Sequence, residues 1–143
     1  MAGRPGRQQS LPPREVVGTL TKFHMTKEFA TEFAAIWIAS WNSHDLDKIL
    51  SHYSDDFVIE SPLALKIYPQ SHGTVCGKDE VRKYWTIGLE KNPNLEFELL
   101  DLFVGVNSVA LCLYNKTANR KSIEVMSFNA EDRVNKTIVN YLE

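Results

Sequence analysis

The last third of the chain most restricts what it can fold into. Between Leu95 and Glu143 lie four segments, LEFELLDLFVGV, SVALCLYNK, KSIEVMSFN and VNKTIVNYLE, in which apolar and polar residues alternate. A period of two is that of a strand with one face buried. The separators, at Asn107-Ser108, at 117–120 and at 130–133, are short and polar. Turns of that length join strands that run antiparallel. The alternation changes phase at Leu99-Leu100, which marks a bulge or a strand buried on both faces. A meander of this kind presents an apolar face that other elements must cover.

The upstream sequence supplies the cover. Within KEFATEFAAIWIASWN, Phe29, Phe33, Ile36, Trp37 and Trp41 recur at helical spacing, with Thr26 as N-cap and Asn42-Ser43 as the end. Asp45 caps a second predicted helix, LDKILSHY, with Leu46, Ile49, Leu50 and Tyr53 on one face. DDFVIES turns to aromatic and β-branched residues and reads as a strand that Pro62 stops. LALKIYPQSHGTVC reads as a long loop. Gly77 leads into a third helix, KDEVRKYWTIGLEK, with Val81, Tyr84, Trp85 and Leu89 inward. This order predicts an α+β domain over residues 26–143. In it a strongly bent, mostly antiparallel sheet wraps around about three N-terminal helices and leaves a cavity between them.

Residues 1–25 differ in character. Gly, Pro, Arg and Gln dominate their first half, and Arg4, Arg7, Arg14 and Lys22 stand against Glu15 alone. They read as a flexible or artificially added tail. The chain as a whole has a net charge of -2, which argues against nucleic acid or an anionic membrane as partner. Phe33–Ile38, the longest apolar-rich run, is far too short to span a bilayer, and no apolar signal core opens the chain. Two cysteines, Cys76 and Cys112, make no disulfide framework and no zinc pattern. A cytoplasmic location is the expectation.

WIASWNSHDLDKILSHYSDDFVIESP, followed by GKDEVRKYW and the meander, resembles the nuclear-transport-factor-two-like superfamily, in particular its SnoaL-like and ketosteroid-isomerase-like members. The resemblance covers nearly all of residues 26–143. It implies a cone-shaped barrel with a deep apolar pocket, and a homodimer formed through the sheet. It implies no cofactor, because these chemistries run on side chains and water. The fold hosts many unrelated activities, so the side chains must carry the functional argument.

Isomerase-like members place an acid just before the Pro that ends the first strand. Ser61 occupies that position here, and Glu60, one residue earlier, is expected on the opposite face. Their oxyanion-donating Tyr on the first helix corresponds to Trp37. Their protonated acid on the next-to-last strand corresponds to Glu124, set among Ile123, Val125 and Met126. Glu124 either enters the pocket, where burial perturbs its pKa, or faces solvent and pairs with Lys116 or Lys136. The acid and His that cyclases carry on the last strand are missing, and no Arg bridges Asp101 as an epoxide hydrolase relay needs. Among the histidines, His24 lies in the tail, and His44 and His52 flank the second helix and are expected to be exposed. His72, in the long loop, is the candidate acid/base. The candidate catalytic residues are therefore Glu124 and His72. The candidate ligand-binding residues are Trp37, Trp41, Phe57, Ser61, Tyr84, Met126 and Tyr141, with no metal site. Three functions fit: an enzyme of the isomerase, lyase or hydrolase type acting on an apolar substrate, a protein that binds an apolar small molecule without turnover, or a dimeric association module.

Overall fold

The computed structural model describes residues 11–12, 15–16 and 23–143. Much of the expected tail, residues 1–10, 13–14 and 17–22, lies outside the described residues. Two short strands, β1 (Glu15–Val16) and β2 (Phe23–His24), pair antiparallel within the stretch assigned to the tail. Met25 is buried, and its backbone N–H donates to the Val106 carbonyl at 2.6 Å.

Helix α1 (Lys27–Ser43) begins where the hydroxyl cap predicts, with Thr26 Oγ1 accepting from the Phe29 N–H at 3.1 Å. Capping satisfies one of the donors that a helix start leaves unpaired. Its stripe Phe29, Phe33, Trp37 and Trp41 is buried, as residues four apart on one helix face must be. The helix ends at His44, which takes the left-handed conformation and donates its N–H back to the Trp41 carbonyl.

Helix α2 (Leu46–Leu50) is shorter than predicted. Asp45 caps it, but Tyr53, expected on its face, is the first residue of strand β3 (Tyr53–Glu60). His52, expected to be exposed, is buried: the early end of the helix turns the chain inward there.

The predicted long loop is largely regular. Pro62 starts helix α3 (Pro62–Ile67), with the Ser61 hydroxyl accepting from the Leu63 N–H at 3.2 Å. Proline fits a first helical position because its missing N–H would be unpaired there anyway. A 3-10 turn (Pro69–Ser71) and strand β4 (Thr74–Cys76) follow, then helix α4 (Lys78–Lys91). Gly77 sits at φ 87° immediately before α4, a conformation in which L side chains are strained.

Strands β5 (Phe97–Val104), β6 (Ser108–Asn115), β7 (Arg120–Phe128) and β8 (Val134–Tyr141) form the predicted meander. The register slips between Leu99 and Asp101, so Leu100 is the extra residue of a bulge where the alternation changes phase. The six-stranded sheet has the order β4-β3-β8-β7-β6-β5, antiparallel except for β3 beside β8. Its outer strands β4 and β5 do not pair, so the curved sheet is an unclosed cone around the helices. No helix among the described residues is long and apolar enough to cross a membrane.

Candidate functional site

Register decides which residues of the sheet look inward. Glu124 lies opposite Leu111 on β6 and Val139 on β8, and Ser122 lies opposite Leu113 and Tyr141. Because Leu111, Leu113 and Met126 are fully buried, alternation places Arg120, Ser122, Glu124 and Met126 on the inner face of β7. On β3 the same rule puts Phe57, Ile59 and Ser61 inward and Glu60 outward, where it pairs with Lys136 at 3.7 Å.

A cavity of about 320 Å³ lies between this face and the helices. Trp41 and Trp85 form its deep wall, with Phe97 beside them. Leu63 and Ile67 of α3 and Leu89 and Leu95 extend the apolar lining, and Ser122, Glu124 and Tyr141 come from the sheet. Lys91, Thr117 and Ala118 are exposed as well as lining, so the mouth opens between the end of α4 and the β6–β7 turn. The Asn42 side chain fixes this wall. Its Nδ2 donates to the Phe97 carbonyl at 3.0 Å and its Oδ1 accepts from the Phe97 N–H at 2.8 Å, which ties edge strand β5 to α1.

Glu124 is the acid of the cavity. It makes no ion pair or hydrogen bond among the described residues, since Lys116 pairs with Glu96 and Lys136 with Glu60. The residue is half-buried, and burial pushes its pKa up to about 8, because charging a carboxyl on the cavity wall forfeits part of its hydration. Burial, and then the charge of Glu124, push the Tyr141 phenol up as well. The Arg120 guanidinium lies over the Tyr141 ring, 4.5 Å from its centre.

Behind the cavity lining lie two buried polar pairs. Trp37 Nε1 donates to Tyr53 Oη at 2.8 Å, and burial, followed by Glu124, raises the Tyr53 pKa. Trp41 Nε1 is buried without a hydrogen-bond partner. Deeper still, Ser40 Oγ donates to the Ile36 carbonyl at 2.8 Å and therefore accepts from His52 Nε2 at 2.9 Å. Burial, aided by the nearby Arg133 charge, lowers the His52 pKa to about 4. The spacing of Tyr53 from Ile49 also fits a helix face, which is why the sequence places it on the second helix and not in a pair with Trp37.

Of the candidate residues, Glu124, Trp41 and Tyr141 come together as cavity lining. Trp37, Phe57 and Met126 are fully buried and Tyr84 nearly so, behind the lining rather than in it. Ser61 is buried and caps α3. His72 is exposed, in the left-handed conformation at the end of the 3-10 turn, and does not line the cavity. No group of three or more His, Cys, Asp or Glu side chains among the described residues is arranged to hold a metal ion.

Residues 34–130 match the SnoaL-like domain family. The chain is similar to a SnoaL-like protein of unknown function from Burkholderia thailandensis E264, with a TM-score of 0.79 and 38% identity over 84% of this chain and 99% of that one. It is similar in fold to SalBIII, an epoxide hydrolase/cyclase-like enzyme with a role in pyran ring formation in the polyether salinomycin. There the TM-score is 0.60 at 18% identity over 79% of this chain and 90% of that one. TerC, co-crystallised with polyporic acid, gives 0.65 at 12% identity over 79% and 91%. No curated protein matches the chain in sequence.

Proposed function

Because the chain belongs to the SnoaL-like family, we propose that it is a small-molecule enzyme that holds an apolar substrate in the cavity and uses Glu124 as general acid and base. SnoaL-like proteins include isomerases, cyclases and hydroxylases, so family alone leaves the reaction open. The observation that carries the proposal is the Glu124 carboxyl on the cavity wall, without an ion pair or hydrogen bond among the described residues. With a pKa of about 8 it is mostly protonated at pH 7, and about a tenth is ionised, so both forms are at hand. In its acid form it can protonate a carbonyl or epoxide oxygen. In its ionised form it can remove a proton next to a carbonyl. Tyr141, held neutral, can donate a hydrogen bond to the same oxygen.

The test is a thermal-shift screen of apolar carbonyls, steroids, polyketides and terpene epoxides, followed by turnover assays of each hit. A ligand at about a hundred times its Kd stabilises by about 2.7 kcal/mol, which moves the Tm of a domain of this size by roughly 5–10 °C. Turnover that Glu124→Gln abolishes, with the fold intact by circular dichroism, supports the enzyme. Turnover unchanged in Glu124→Gln removes Glu124 from the mechanism. Hits that bind without reacting shift the reading to a binding protein.

The outer face of the sheet favours a homodimer. Register aligns Phe103, Ala110, Val125 and Ile138 in one row across four strands, with Cys112 and Ile123 in the next. Phe103 is 60% exposed, Ile123 42% and Ile138 37% in the single chain. An apolar row of this kind is suited to a second copy of itself about a two-fold axis. Light scattering of Phe103→Lys/Ile138→Lys against the unaltered chain checks this, and a monomeric mass for both sinks it.

A further inference from the structure

The charges around the cavity are unbalanced. Arg120 and Lys91 are its basic lining residues and Glu124 is its acidic one, deep on the wall. Neither Arg120 nor Lys91 forms an ion pair with a carboxylate among the described residues, although Lys78, Arg82, Lys83, Lys116 and Lys136 all do. Arg120 is partly buried, and its guanidinium lies over the Tyr141 ring. A guanidinium has five N–H donors, enough to grip a carboxylate or sulfonate through two bonds while it stays against Tyr141. Lys91 ends α4 on the other side of the mouth. Across the cavity from Arg120 the lining is aromatic, with Trp41 against Trp85 and Phe97, and Phe97 two strands away from Arg120 in the same register row.

We infer that the cavity takes an amphipathic anion, its apolar body against Trp41, Trp85 and Phe97 and its anionic group held at the mouth by Arg120 with Lys91. The inference rests on the cavity being the ligand site proposed above. It also sets direction and length. Arg120 and Glu124 are four residues apart on one face of β7, so their Cα atoms are about 13 Å apart along the strand. A ligand that reaches both is on the order of 10 Å long, with its reactive atom at the end remote from the anion.

The test uses two dyes with one aromatic body, 8-anilinonaphthalene-1-sulfonate and its neutral counterpart N-phenyl-1-naphthylamine, titrated by fluorescence into the full chain at pH 7 and low salt. The expected result is a preference of about tenfold or more for the sulfonate. Arg120→Gln should erase that preference while leaving affinity for the neutral dye unchanged. Lys121→Gln removes the same charge from the next residue, on the other face, and should keep the preference. Equal affinity of the unaltered chain for both dyes overturns the inference and leaves the ligand cavity standing. A preference that survives Arg120→Gln combined with Lys91→Gln also overturns it. Binding of neither dye takes down the ligand-cavity reading as well.

Discussion

Replacing Glu124 by Gln keeps the size and shape of the side chain and removes its titration. In the fold the carboxyl has a pKa of about 8 against an ordinary 4.5. The folded protein therefore holds a proton that the unfolded chain releases. A raised pKa means that stability from this group is intact below pH 4.5 and is lost as pH climbs towards 8. At about 1.4 kcal/mol per pH unit, holding Glu124 in place costs about 3 kcal/mol at pH 7, and the cost levels off near 5 kcal/mol above pH 8. Glu124→Gln removes this cost. The variant should match the unaltered protein at pH 4, exceed it by about 3 kcal/mol at pH 7, and exceed it further at pH 9. Urea unfolding followed by the fluorescence of the buried Trp37, Trp41 and Trp85 reads the difference. Other titrating groups cancel in the comparison. A difference that does not vary with pH, or a variant less stable at pH 7, would refute the claim that Glu124 is held uncompensated.

Other perturbations address the rest of the core. Trp37→Phe removes the donor to Tyr53 and leaves a void under a fully buried ring, so urea unfolding should show a loss of about 2–3 kcal/mol. Its pH dependence should match that of the unaltered chain. His52 has the opposite sign to Glu124. Its folded pKa is lowered, so its stability is full above pH 6.5 and falls as pH drops towards 4, by about 3 kcal/mol in all. His52→Gln should flatten that acid limb, and an unaltered limb would mean that His52 is not buried neutral.

The strands were legible because alternation is local. The phase change at Leu99-Leu100 carried the bulge, and a shared face for Phe57 and Ser61 followed from the period of two. The inner position of Glu124 needed more, since alternation sorts Ser122, Glu124 and Met126 onto one face without saying which face is buried. Two local signals are ambiguous for physical reasons. Ser61-Pro62 can end a strand or cap and open a helix, and here it does both. Tyr53 keeps helical spacing from Ile49, yet α2 stops at Leu50 and its ring enters the core from a strand. The mouth of the cavity was illegible. Lys91 and Arg120 are far apart in sequence, and only the bend of the sheet over α4 brings them to one opening.

His52 and Glu124 act on stability in opposite directions across overlapping pH ranges. Between pH 4 and 6.5, rising pH relieves His52, and above pH 4.5 it ionises Glu124 in the unfolded chain while the fold keeps that carboxyl protonated until about pH 8. The two slopes cancel near pH 5.5, so the contribution of the pair is greatest there and declines towards neutrality. His52 explains itself structurally, because its ring fills the core against Phe33 and hydrogen-bonds Ser40. Glu124 has no comparable return. A Leu or Gln would fit between Leu111 and Val139 at less cost, and no partner among the described residues offsets its desolvation. A group that costs stability where the protein could do without it, and that borders a cavity with cations at its far end, is best accounted for by what enters that cavity.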